Sequence, residues 1–231
     1  LCVAKTSLSG RSGGSDIKFA ELLISAIKQI THEDDNGIRC DAEDILFDKL
    51  EDSTINDTRL IRGIFWRKRI PMERMAGIRD NLPVVILNCD IKQRETIRDS
   101  EIELQSANDL QKFIEIQQSN NNEIADKIIA SGAEIICSSG DVERSILHRL
   151  SSADKIVIHD LDPKQLVHLS QATGAKIIDD INDINSGDIG KIGRYEAERR
   201  APTDEVQDRI IIDSCNGPLV TILVGGAMGA E

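Results

Sequence analysis

Four histidines, five cysteines and forty acidic side chains are the groups in this sequence best suited to chemistry, and their spacing decides what chemistry is open to them. The stretch "HDLD" places His159, Asp160 and Asp162 directly after the apolar run Ile156–Ile158. An imidazole and two carboxylates at the end of a parallel strand could hold a metal ion. The same residues could equally form a solvated loop that caps the next helix, and no second cluster completes a ligand set. The run "DDINDINSGD" (Asp179 to Asp188) has the look of a calcium loop. It fails as one, because ligand alternation breaks at Ile184 and no Glu stands at the closing position. His32, His148 and His168 have no nucleophile or carboxylate at a telling distance in the sequence, and the G-x-S-x-G of a nucleophile elbow is missing.

Two glycine-rich stretches could cradle an anion. "SGRSGGSD" (Ser9 to Asp16) precedes a helix, whose free backbone N–H groups and dipole favour negative charge. It lacks the Lys-Ser/Thr of a P-loop, so a flexible cap is the competing reading. "GGAMG" near the end is open to the same two readings without a helix after it. Cys2, Cys40, Cys89, Cys137 and Cys215 lie far apart with no C-x-x-C, which suits isolated reduced thiols and a cytoplasmic setting. We therefore expect no catalytic residue, no metal and no cofactor in this stretch.

The elements that position these groups follow from periodicity. "NEIADKIIASGAEIIC" sets Ile124, Ile128 and Ile129 at helical spacing, then Gly132 as a stop, then a buried strand. "DPKQLVHLSQATGAKIID" repeats that grammar, with Pro163 near a helix start, Leu166, Leu169 and Ala172 on one face, and Gly174 before Ile177 and Ile178. "DVERSILHRLSSADKIVIHD" supplies a third copy between them. Wholly apolar strands joined by short helices imply parallel pairing through right-handed crossovers. The near-duplication of "ASGAEIIC" and "ATGAKIID" is thus architectural.

Upstream, "LIRGIFW", "PVVILNCDI" and "SEIELQ" read as strands of a β-rich layer, and "DRIIIDS" and "LVTILVGG" add two more around the turn "CNGP". "SDIKFAELLISAIKQI" is an amphipathic helix with Phe19, Leu22, Leu23, Ala26, Ile27 and Ile30 on one stripe and Ser15 or Asp16 as cap. "THEDDNG" breaks that pattern as a linker or exposed turn. The segment "SANDLQKFIEIQQSNNNEI" (Ser106 to Ile124) predicts a short helix carrying Leu110, Phe113, Ile114 and Ile116, followed by a polar run that lifts it off the body. Its apolar face either recruits other polypeptides or packs down on the sheet.

Bulk properties narrow the class. A chain of 231 residues with 40% hydrophobic composition can bury one good core and part of a second. A net charge of −12 argues against nucleic acid as a partner, since phosphate neutralisation needs clustered Lys and Arg. No apolar run is long enough to span a membrane as a helix, so no membrane partner is expected. The start "LCVAKTSLSGR" lacks the order of a signal peptide and reads as part of something longer.

Several blocks in consistent order resemble the group II chaperonins, the thermosome or TCP-1 family: "STINDTRLIRGIFWRK", "VVILNCDI", "EIELQSANDLQKFI", "ADKIIASGAEIIC", "LSQATGAKIIDDINDI" and "VTILVGG". The leading "AKTSLSGR" is similar to that family's intermediate-domain start. The resemblance implies an α/β fold: an apical domain of parallel βαβαβ units with a β-rich layer and a helical protrusion, plus part of an α/β intermediate domain. It implies intermediate-domain pieces at 1 to about 60 and 216–231, an apical domain at 61–215, and the protrusion at about 106–122. The family's G-D-G-T-T segment and catalytic aspartates are not in this stretch. ATP and Mg are thus implied for a full-length parent and ATP hydrolysis is not expected of this segment.

The implied function is capture and enclosure of unfolded polypeptides, with other chaperonin subunits of a double ring as partners. The implied client-binding residues are Leu110, Phe113 and Ile114 on the protrusion, and Gln165, His168, Leu169 and Gln171 on the helix facing the cavity. Two departures stand out. Where the family writes a basic stretch like R-R-V-K-K before that helix, this chain has His159 to Pro163, and the loop usually near H-P-G-M-P reads "IPMERMAG" (Ile70 to Gly77). The competing function is a small-molecule-binding or hydrolytic α/β domain using the strand ends at Cys137–Asp141, His159–Asp162 and Asp179–Asp183.

Overall fold

The amphipathic pattern near the start forms a helix, α1 (Ile17–Ile30), and its inward residues Ala26 and Ile30 are fully buried. They pack on Val220 and Ile222 of a small three-stranded sheet. That sheet has the order β3 (Ile45–Leu50), β12 (Val220–Gly225), β4 (Arg59–Ile61), with β3 parallel and β4 antiparallel to the central strand. Ile27, placed on the same stripe by periodicity, is 47% exposed at the stripe's edge. A separate hairpin, β1 (His32–Asp34) with β2 (Gly37–Arg39), precedes β3. This computed structural model describes residues 17–34, 37–50, 53–93, 107–200 and 207–226. The glycine-rich loop at 9–16 with its helix cap, the strand expected in "SEIELQ", and most of "GGAMG" lie outside the described residues.

"LIRGIFW" forms two strands rather than one. β4 ends at Ile61, and β5 (Ile64–Arg67) belongs to a different, seven-stranded sheet. The break falls at Gly63, whose φ of +150° and lack of a side chain let the backbone pass the carbonyl of Ile212; a Cβ there would collide with it. The large sheet runs β5, β11 (Arg209–Asp213), β10 (Gly190–Glu198), β6 (Gly77–Leu87), β7 (Ile135–Ser138), β8 (Ile156–Ile158), with β9 (Ile177–Ile178) also on β6. Its first half is antiparallel and its second half parallel.

The repeated helix-stop-strand grammar yields α2 (Ala107–Ala130), α3 (Arg144–Ser152) and α4 (Pro163–Thr173). Both glycine stops adopt the left-handed conformation, Gly132 at φ +83° and Gly174 at φ +74°. β6, β7 and β8 step in one direction and β9 returns to the other flank of β6, so the winding reverses at β6. Every residue of β7 and β8 is buried, as strands covered on both faces must be. One core joins them to Leu166, Leu169, Ile192 and Ile212. Tyr195 of β10 is buried with its hydroxyl donating to the Met75 carbonyl at 3.0 Å, which satisfies the polar end of an otherwise apolar side chain.

The excursion expected as a short helix plus a polar spacer is one continuous 24-residue helix. The run "QQSNNN" holds no Gly or Pro to stop it, and Asn121 inside that run is buried, donating from Nδ2 to Ser145 Oγ at 2.9 Å. The polar residues therefore anchor α2 to α3 instead of interrupting the helix.

Candidate functional site

α2 divides in two. From Asn121 onward it is seated: Ala125 and Ile128 are fully buried, and Arg149 of α3 grips Asp126 with a two-pronged pair of hydrogen bonds, Nε to Oδ1 at 3.0 Å and Nη2 to Oδ2 at 2.9 Å. Before Asn120 every side chain that the structure describes, at positions 111 and 114–119, is exposed. Thirteen residues from Ala107 to Ser119 give the free half a length of about 20 Å at 1.5 Å per residue. Ile114 is 45% exposed and Ile116 61%. The side chains of Leu110 and Phe113 lie outside the described set, although both positions are helical. Leu110, Phe113 and Ile114 share one face by the spacing of three and four residues, whereas Ile116 is turned well away from Ile114.

α4 presents the second candidate surface. Asp162 opens it, its N–H donating to Gln165 Oε1 at 3.0 Å, and Pro163 fixes the first turn. Leu166, Leu169 and Ala172 point into the core. Leu169, expected to face outward, is completely buried and cannot meet a client. The spacing that assigned Leu166, Leu169 and Ala172 to one face already carried this signal. The outward face is Lys164, Val167 and Gln171, at separations of three and four; Val167 is 46% exposed and was missed by sequence reasoning. Gln165 is half-buried with its side-chain oxygen engaged by the helix start.

His168 sits half-buried in a cleft of about 420 Å³ lined also by Phe47 and Asp48 of β3 and Trp66 and Arg67 of β5. Burial pushes its pKa below the ordinary imidazole value; Asp44 partly opposes this and Lys164 adds to it. Phe47 is 61% exposed at the cleft's mouth. The structure thus sets Gln171 with Val167 on the open face and Gln165 with His168 at the cleft, and keeps Leu169 from both.

The strand ends proposed for small-molecule chemistry are occupied by their own loops. Asn88 Nδ2 donates to Asp179 Oδ1 at 2.9 Å and the Asn88 N–H to the Ile178 carbonyl at 2.7 Å, which closes the point where the winding reverses. The N–H of Leu161 donates to the Ser138 carbonyl, and the Asp141 N–H to Asp90 Oδ1. Gly140 lies so close to Asp90 that a Cβ would collide with it. His159 Nδ1 and Asp160 Oδ2 pair at 2.8 Å, while Asp162 serves the helix start. Among the described residues no group of three or more His, Cys, Asp and Glu is placed to hold a metal ion. Cys137 and Cys215 are buried, and burial raises both thiols, Cys215 to about 12, so neither is a thiolate nucleophile near neutral pH. No described helix is long and apolar enough to cross a membrane.

The open-state monomer of a group II chaperonin from Methanococcoides burtonii superposes with a TM-score of 0.69, covering 96% of this chain and 49% of that one at 22% identity, so the fold is shared. Residues 1–230 match the model of the TCP-1/cpn60 chaperonin family, and the chain belongs to that family. It is 30% identical over 226 residues to a thermosome subunit of Methanopyrus kandleri, which covers 97% of this chain. A thermosome subunit of Pyrococcus horikoshii is 28% identical over 228 residues, and the thermosome subunit beta of Archaeoglobus fulgidus 28% over 226. The chain spans 41% of the length of each of these relatives.

Proposed function

We propose that this chain is the client-binding and lid portion of a group II chaperonin subunit, with the projecting half of α2 as the lid arm and first contact for unfolded polypeptides. The observation that carries the reading is the exposure of every described side chain at positions 111 and 114–119, in a helix whose other half is firmly seated. A helix of this length is marginal in isolation. Its second half supplies the template, so the free half can present Leu110, Phe113 and Ile114 without a partner of its own. Val167 and Gln171 on α4 form the second contact, and Gln165 and His168 border it.

Each exposed Leu, Phe or Ile offers about 1.5–3 kcal/mol when fully buried against a client, too little alone once ordering costs are met. Repetition of such patches around a ring of subunits turns weak contacts into retention through effective concentration. In this reading, ATP and Mg act in parts of the subunit other than these residues, and client binding here is association without covalent chemistry. We assign residues 1–60 and 216–231 to an intermediate domain and 61–215 to an apical domain. The supporting division is between the small sheet with α1 and the large sheet with α2–α4.

The test replaces Leu110, Phe113 and Ile114 together with Ser in the full-length protein and measures suppression of aggregation of an unfolded client. Lost suppression with unchanged thermal stability is expected. Undiminished suppression in the folded variant contradicts the assignment.

A further inference from the structure

Aromatic residues are scarce in this chain, and half of them gather at one place. It holds four Phe, one Trp and one Tyr, and three of these six, Phe47, Phe65 and Trp66, line the cleft of about 420 Å³ beside α4, with His168 as a further planar ring. The cleft is set by packing. Ile61 of β4 and Leu223 of β12 join Phe65 of β5 and Ile211 of β11 in one buried cluster, which fixes the small sheet on the large one. Thr221 Oγ1 adds a 2.7 Å hydrogen bond to the Gly63 carbonyl across the same junction.

Phe65 and Trp66 are almost wholly buried in that packing, whereas Phe47 is 61% exposed. By the two-residue period of a strand Phe47 shares a face of β3 with Ile45. Ile45 packs with the cluster under α1, and Phe47 has no place in any buried cluster. The acid and the base in the lining, Asp48 and Arg67, pair with each other, so the cleft favours an uncharged occupant. A preformed hollow of this size, with rings and a few polar groups, has the anatomy of a ligand pocket.

We infer that this cleft receives an aromatic side chain of an unfolded polypeptide lying across α4, with Phe47 as the residue that makes a ring preferred over an aliphatic chain. The inference rests on the client-binding reading of α4 and adds a preferred side-chain class to it. Gln165 and His168 line the cleft from α4, and Val167 stands between them in sequence on the open face, so a chain on that face reaches the cleft directly. Gln165 and Gln207 bring carboxamides to the lining, groups that bond a peptide backbone. A ring set against Phe47 gains about 2- to 12-fold in affinity beyond its buried area.

The experiment measures, by fluorescence anisotropy, binding of a labelled unstructured peptide with several Leu and one Phe to the full-length protein, beside the same peptide with that Phe replaced by Leu. Expected is severalfold tighter binding of the Phe peptide by wild type and loss of that preference in Phe47→Leu, with its thermal midpoint unchanged. Val167→Ser should weaken both peptides alike and keep their ratio. Equal affinity of wild type for the two peptides, or a preference that survives in Phe47→Leu, overturns the inference and leaves the client-binding reading standing. Failure of wild type to bind either peptide overturns both. N-acetylphenylalaninamide serves as competitor: displacement of the Phe peptide at concentrations near that peptide's own Kd would mark a small-molecule site and overturn the polypeptide assignment. Should Phe47→Leu not fold, a photo-crosslinking benzoylphenylalanine at the peptide's Phe position decides in wild type. Adducts at 46–48 or 165–168 support the cleft, and adducts only elsewhere overturn it.

Discussion

Val167 and Leu169 are two positions apart on α4, and the difference in their surroundings separates stability from binding. Leu169 is wholly enclosed by core side chains, so Leu169→Ala should cost about 2–5 kcal/mol through lost transfer free energy and the cavity left behind. Val167→Ser should change stability by no more than about 0.5 kcal/mol and weaken client capture instead. Urea unfolding of both variants, read beside an aggregation assay, checks the pair; an equal stability loss in both contradicts the assigned faces. Gly63 carries a different constraint. Gly63→Ala must place a Cβ against the Ile212 carbonyl at a φ that side chains rarely adopt, and should lower stability by about 2 kcal/mol or more. An unchanged unfolding midpoint would show that the seam between the sheets relaxes freely.

At the scale of elements, α2 makes the sharpest prediction. Because none of its described side chains before Asn120 is buried, Gln117→Pro should break the projecting half yet leave the global unfolding midpoint within about 0.5 kcal/mol of wild type. Asn121→Ala should instead loosen the seat by about 1 kcal/mol, through loss of its hydrogen bond to Ser145. Circular dichroism combined with chemical unfolding separates the two. A large global destabilisation by Gln117→Pro would mean that the arm is packed.

The parallel half of the fold was legible because Gly132 and Gly174 mark helix stops and buried strands read as unbroken apolar runs. Less was visible elsewhere. β10 was missed, since "GKIGRYEAE" scatters three glycine or alanine positions among charges and its buried residues, Gly190 and Ile192 and then Tyr195 and Ala197, shift phase midway and so break the two-residue period. β3 was missed for a similar reason, as "ILFDKL" lies on an edge and is only half-buried. The continuity of α2 was hidden because polar Asn and Gln discourage a helical reading, whereas Asn121 is held by a tertiary hydrogen bond that sequence spacing cannot show. Of the candidate site, the apolar face proposed for Leu110, Phe113 and Ile114 rests on composition and resemblance together, and the cleft around His168 came from neither: Phe47, Trp66 and His168 line one cleft only once both sheets are in place.

For the whole molecule, the two sheets and the arm divide the work: the large sheet gives a rigid frame, α2 and α4 present surface, and the seam at Gly63 sets how the frame meets the smaller layer. Membership of the TCP-1/cpn60 family places this frame among chaperonins. The central claim is that non-native polypeptides are held by the free half of α2 and the open face of α4. The most direct measurement is hydrogen exchange on the full-length protein with and without a bound unfolded client. The account predicts new protection at residues 107–119 and at the α4 face around Val167 and Gln171, with β7 and β8 unchanged. Protection confined to the strand ends at Asp141, His159 and Asp179, with the arm exchanging as freely as before, would contradict it.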